Sequence, residues 1–274
     1  MKKLVGIVAG VCLVAGLSAQ AQGPVYSKNV VGFQKIDLAP GLNMIANNWN
    51  AVGGKDSISI QDVLDTTELV AGTQLGNSDV MYVWDPSLFS GQGGYVLYYF
   101  GDFAGVYGPE YDRKWYEFGN DAEPTTNAIM RGQGFWLRHS GTGASTALAG
   151  EVPAAATKDT VFGLGLTMFG ASYTANLPLN GDDLVWDSNG GTQFGNSDVI
   201  YVWDTSLAGG QGGYLLYYFG DFGGVYGAEY DNKWYEFGND AEPTPDEISM
   251  GAGAWYRNIG PSSATLTENK PYTL

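Results

Sequence analysis

The chain is 274 residues long and carries 29 acidic against 13 basic side chains, a formal net charge of −16. Such a field repels nucleic acid and anionic lipid headgroups and attracts cations, so nucleic acid is excluded as a natural partner. A single cysteine, Cys12, excludes an internal disulfide framework and a thiolate metal cluster, so the fold must stand on its hydrophobic core.

Residues 1–21 read as a signal peptide. Lys2 and Lys3 form a basic start, residues 4–16 an apolar run, and Ala19-Gln20-Ala21 a small-residue cleavage site. Cleavage before Gln22 would remove Cys12 and leave 11 basic side chains against 29 acidic ones. The Ala9-Gly10-Val11 stretch before Cys12 does not make a lipidation site. No later segment reaches the ~20 consecutive apolar residues of a spanning helix. The expected location is therefore extracellular or the cell surface, with the periplasm as the alternative.

Beyond the leader the pattern is that of strands. Residues 30–38 and 43–48 are strand candidates joined by a turn at Pro40-Gly41. Residues 59–64 offer a serine cap and an early acid, which predicts one or two helical turns. At 79–84 the side chains of Val80, Tyr82 and Trp84 share a face by period-two alternation, the mark of a half-buried strand. A glycine-rich turn at 90–94 leads into 95–100, apolar or aromatic on both faces and so a central strand. Strands follow at 114–118 and 134–139, with a closing strand at 147–152. An alanine-rich joint at 152–158 precedes the second half, which has strands at 198–203 and 264–270. A short helix is expected at 244–247, where Thr244 would cap and Pro245 take the first position.

The second half repeats the first. Residues 76–125 recur 119 positions later as 195–244, with 42 of 50 identical. A period near 120 is too long for a solenoid unit, so the duplication predicts two copies of one small domain. Upstream the copies have drifted: 41–46 is answered by 165–170 at an offset of 124. Either gene conversion has homogenised the long block or a requirement holds it, such as a surface that meets the same partner twice. The expected architecture is all-β, two tandem duplicated β-sandwich-like domains at 24–150 and 151–274 with very little helix.

Residues 41–47 (Gly-Leu-Asn-Met-Ile-Ala-Asn), the Tyr-Val-Trp-Asp strand at 82–85 and the Gly-Gln-Gly-Phe-Trp run at 132–136 form a G-x-N-x-I-x-N … W-D … G-x-G-F-W progression. It resembles the small β-sandwich modules of secreted bacterial surface proteins. The second copy departs from it, with Thr167 and Ala171 in place of Asn43 and Asn47, and Ala254 in place of Phe135. The resemblance implies an all-β module in a secreted or cell-surface setting, without a shared catalytic chemistry.

No catalytic residue is expected. The sole histidine, His139, aligns with Asn258, so a Ser-His-Asp arrangement could exist in one copy only. No zinc, phosphate-loop or dinucleotide pattern is present. Paired acids recur, and Asp102, Asp121 and Glu123 with Asp221, Asp240 and Glu242 are candidate calcium ligands on glycine-rich loops; otherwise they form a solvated acidic surface, or less readily a hydrolase's carboxylate pair. Aromatic residues are the other candidate site. Trp84, Tyr98, Tyr99, Phe103, Tyr107, Tyr111, Trp115 and Tyr116 all have identical partners in copy two. Trp84, Tyr99, Tyr107 and Trp115, with Trp203, Tyr218, Tyr226 and Trp234, are the candidate ligand platforms, core packing being the alternative. Three functions fit: a secreted or surface-attached structural or adhesive protein contacting matrix proteins, a carbohydrate-binding protein helped by calcium, and a small outer-membrane β-barrel.

Overall fold

Alternating apolar residues bounded by glycine turns leave little besides antiparallel strands. The computed structural model describes residues 30–274; the expected leader at 1–21 lies outside the described residues. The strands of the first half are β1 (Val31–Leu38), β2 (Gly41–Ala46), β3 (Ser57–Ser59), β4 (Val80–Asp85), β5 (Gly94–Gly101), β6 (Lys114–Glu117), β7 (Ala128–Met130), β8 (Gly134–His139) and β9 (Ala144–Glu151). Strands β2-β8-β4-β5-β6 form one five-stranded sheet, while β1 pairs with β9 and β3 with β7.

The second half has β10 (Thr157–Phe162), β11 (Gly165–Phe169), β12 (Leu177–Pro178), β13 (Leu184–Asp187), β14 (Val199–Asp204), β15 (Gly213–Gly220), β16 (Lys233–Glu236), β17 (Glu247–Ile248), β18 (Ala254–Asn258) and β19 (Ala264–Asn269). Its five-stranded sheet, β11-β18-β14-β15-β16, has the same order as the first. The remaining strands form a β10-β19-β13 sheet and a β12-β17 pair. Each half has its own core. In the first, Ile45, Met81, Phe100, Trp115 and Phe135 of the large sheet pack on Leu38 and Leu148 of the β1–β9 ribbon. In the second, Phe169, Ile200, Phe219 and Trp234 pack on Phe162 and Leu266. The described strands thus lie in six open sheets of two to five strands, not in the closed cylinder of eight or more that an outer-membrane barrel requires.

Both expected helices are absent. Residues 59–64 make a turn after β3, and 244–247 runs extended into β17. Backbone groups of both segments bond across the domain instead: Ile60 N donates to Asn127 O, and Asp246 O accepts from Leu179 N, each at 2.9 Å. A segment of one or two turns cannot nucleate a helix against such partners. The first of these segments does supply a clamp. Gln61 donates to the carbonyls of Trp115 (2.8 Å) and Thr125 (3.0 Å) and accepts the Trp115 amide (3.0 Å). Asn180 repeats all three bonds with Trp234 and Thr244. A side-chain amide thereby covers the unpaired edge of β6 and of β16, which would otherwise offer a template for foreign strands.

The inner face of each large sheet is buried and its outer face is covered in part. Met81 and Val83 of β4 point into the core, while Val80, Tyr82 and Trp84 point the other way. The two sheets meet through part of these outer faces, where Met44, Trp136, Met168 and Trp255 are buried with Trp84 and Trp203 packed against them. Trp84 meets Trp255 and Trp136 meets Trp203, each edge-on at 5.2 Å. Because each pair is the other's counterpart under the 119-residue offset, the seam has the self-complementary form of a two-fold interface. Backbones touch there too, with Ala46 N donating to Gly251 O (2.9 Å) and Gly170 N to Gly132 O (3.0 Å). A Cβ on Gly170 would sit 2.3 Å from the Ala46 Cβ, so this approach requires glycine. At one margin Asp56 bridges Arg131 of its own half (3.1 Å) and Lys158 of the other (3.0 Å).

Candidate functional site

The part of each outer face left free by the seam is built by β5 and β6. Their register sets Tyr99 opposite Tyr116, and the two rings stack at 5.6 Å. Residues 102–112 then fold back over them. Asp112 accepts the amides of Phe103 (2.8 Å) and Gly105 (2.7 Å), and Asp102 accepts that of Ala104 (3.0 Å). The reversal needs the left-handed backbone of Ala104 (φ 53°) and Gly105 (φ 76°). It places Phe103 edge-on to Tyr116 and Tyr107 edge-on to Phe103, both at 5.3 Å.

The result is an open cleft of about 510 Å³ walled by Tyr99, Phe103, Tyr107, Tyr111 and Tyr116, with Asp121, Ala122 and Thr73 at its margin. Its polar groups are arranged in one sense. Tyr99 donates its hydroxyl to Asp121 (3.2 Å), Tyr111 to Glu123 (3.3 Å) and Tyr116 to the Tyr111 carbonyl (2.5 Å). Burial, reinforced by the Asp121 carboxylate, pushes Tyr99 up to about 12; burial with Asp112 nearby does the same to Tyr116. The Glu123 carboxylate raises Tyr111. These hydroxyl protons therefore stay in place at neutral pH.

The second copy reproduces the cleft residue for residue. It encloses about 500 Å³ between Tyr218, Phe222, Tyr226, Tyr230 and Tyr235, with Asp240, Ala241 and Thr192 at the margin. Tyr218 donates to Asp240 (3.3 Å), Tyr230 to Glu242 (3.4 Å) and Tyr235 to the Tyr230 carbonyl (2.6 Å). Tyr218 and Tyr235 are likewise pushed up to about 12, chiefly by burial.

Four of the eight aromatic candidates lie in the clefts. Tyr99 and Tyr218 lie beneath the floors, almost fully buried at 3% and 2% exposed, while Tyr107 and Tyr226 stand at the rims, 67% and 68% exposed. The other four require correction. Trp115 and Trp234 are fully buried core residues, and Trp84 and Trp203, half-buried, pack into the seam and away from the clefts. Strand position decides this, since Trp115 and Tyr116 are adjacent on β6 and must face opposite ways. Phe103, Tyr111 and Tyr116 complete the cleft walls although sequence did not separate them from core aromatics. For Tyr116 the signal was the cross-strand register with Tyr99, while Phe103 and Tyr111 lie in the loop after β5, which no strand register places.

Of the acidic candidates, Asp121 and Asp240 line the clefts, Glu123 and Glu242 hold tyrosines at the rim, and Asp102 and Asp221 brace the turns. Among the described residues no group of three or more Asp, Glu, His or Cys converges as a metal site. His139 is sealed in the interior, its Nδ1 2.9 Å from Asp79 Oδ2. Ser140 donates to the same carboxylate and not to the imidazole. Asp79 and its counterpart Asp198 tie loops together, Asp198 binding the Tyr256 hydroxyl (2.7 Å) where Asp79 binds histidine.

No protein-family model matches the chain, and comparison with curated proteins and with solved structures likewise returns no match.

Proposed function

We propose that the protein is an exported, non-catalytic binding protein that holds a glycan chain in two equivalent tyrosine clefts. The observation that carries this reading is the repetition of one complete wall set, from Thr73 to Ala122 and again from Thr192 to Ala241, in open clefts of equal size. Tyrosine rings stack on the apolar faces of pyranose rings, and nearby carboxylates and hydroxyls bind sugar hydroxyl groups. The tryptophan seam joins both halves into one body, so two sites can engage one polymer and gain avidity without new contacts.

A matrix or surface protein as partner is the second reading, and exposed apolar residues favour it. Val106, Tyr107 and Phe118 are 75%, 67% and 60% exposed beside the first cleft, and Val225, Tyr226 and Phe237 repeat them at 74%, 68% and 56%. The test is retention of the purified protein on a panel of insoluble polysaccharides, with calcium and with EDTA. Retention lost in the Tyr107→Ala, Tyr226→Ala double variant supports the glycan reading. No retention of the folded protein on any polymer refutes it and favours the protein partner; loss in EDTA would bring calcium back to the acidic rim.

A further inference from the structure

We infer that the clefts select a protonated amine, so that the glycan they hold is an amino-sugar polymer with free amino groups. This rests on the glycan reading and narrows it. The argument begins with what each cleft leaves facing a ligand. Of its five aromatic rings Tyr99 and Tyr116 are almost fully buried, which leaves Phe103, Tyr107 and Tyr111 and their counterparts accessible, and no lysine, arginine or histidine lines either copy. Ring faces attract cations through their quadrupole, most strongly when the charge leaves water.

The hydrogen-bond directions add an independent reason. Of four tyrosine hydroxyls in the first cleft, those of Tyr99, Tyr111 and Tyr116 give their protons to Asp121, Glu123 and a carbonyl. Their oxygens can then only accept. Asp121 adds a carboxylate, so acceptors outnumber the two hydroxyl donors left to the cleft, those of Tyr107 and Thr73. A neutral sugar needs donors and acceptors in comparable number. An acidic sugar would meet like charge at Asp121 and Asp240. An ammonium group brings three donors, no acceptor and a positive charge, and so satisfies rings and oxygens together. The same bonds recur in the second copy, and the net charge of −16 draws a polycation toward both.

The experiment is calorimetric titration of the whole protein, at physiological salt, with a glucosamine tetramer and with its N-acetylated form. It is run at pH 6, where the amines are charged, and at pH 9.5, where they are mostly neutral. The expected result is tighter binding of the free-amine tetramer at pH 6 by ~10-fold or more, about 1.4 kcal/mol per tenfold. That advantage should vanish at pH 9.5 and shrink in the Asp121→Asn, Asp240→Asn variant. Equal or tighter binding of the acetylated tetramer at pH 6 overturns amine selectivity while the glycan reading stands. A preference that survives unchanged in Tyr107→Ala, Tyr226→Ala also overturns it, because the field of the whole protein and not the cleft would then be responsible. Binding of neither tetramer overturns it as well, and retention on the polysaccharide panel then decides separately whether the glycan reading survives.

Discussion

Replacing Trp115 by alanine separates the core from the binding surface. The indole is fully buried and packs on Phe100 at 5.2 Å between centroids. An indole of this kind removes ~150–250 Å² from water, which at about 25 cal/mol/Å² corresponds to roughly 4–6 kcal/mol. Its Nε1 has no partner in the protein, so truncation strands no hydrogen-bonding group and adds nothing on that account. The backbone amide and carbonyl stay clamped by Gln61, which limits collapse of the edge strand. The expected loss is therefore ~3–5 kcal/mol, the ordinary range for deleting a buried aromatic side chain. Domains are stable by about 5–15 kcal/mol, so the variant should unfold at much lower urea concentration, by far-UV circular dichroism and by the remaining tryptophan fluorescence. Tyr107→Ala, at an exposed rim, should change stability by less than ~0.5 kcal/mol. A Trp115→Ala protein with the wild-type midpoint would refute the placement of this residue, and with it the assignment of the opposite face of β6 to the cleft.

Three other perturbations test separate parts of the structure. Gly170→Ala forces a Cβ to within 2.3 Å of Ala46 and 2.7 Å of the Ala252 carbonyl, so it should destabilise the seam by ~1–3 kcal/mol, seen as a lower melting temperature while each half keeps its β-sheet spectrum; an unchanged melt would mean that the halves do not pack this closely. Gln61→Ala removes three bonds to the edge strand, each contributing about 0.5–1.5 kcal/mol, and should lower stability and promote aggregation, checked by urea titration and light scattering. Four cleft tyrosines titrate near 12 in the folded protein, against an ordinary value near 10. The unfolded chain therefore loses protons first, so the stability that these groups contribute is intact below pH ~10 and falls as pH rises toward ~12. Thermal melts at pH 9 and pH 11.5 should show that drop, and tyrosinate absorbance should lag that of an unfolded control.

Strands were readable where glycine turns bracketed dense β-formers. The segment at 134–139 coincides with β8, and 95–100 lies within β5. The short helices were misread because residues 59–64 and 244–247 satisfy capping rules locally while their backbone groups bond to distant positions, Ile60 N to Asn127 O and Asp246 O to Leu179 N. Period-two alternation in 79–84 identified a shared face for Val80, Tyr82 and Trp84 but not what covers it. Both faces of that sheet carry apolar residues, one packed on the core and the other partly covered by the seam and the cleft loop, so apolar character was no guide to direction. The same ambiguity sent Trp84 and Trp115 to the ligand site. The drifted upstream segment hid the equivalence of Gln61 and Asn180, since different residues make the same three bonds in the two copies. Tyr107 was recoverable because its glycine-flanked loop has no strand pattern to hold it inside.

The most direct test of two equivalent clefts is the binding stoichiometry of a short oligosaccharide taken from whichever polymer retains the protein. Wild-type protein should bind two per chain with one common affinity, Tyr107→Ala or Tyr226→Ala alone should leave one, and the double variant none. A single site in the wild type, or two sites that persist in the folded double variant, would contradict the account.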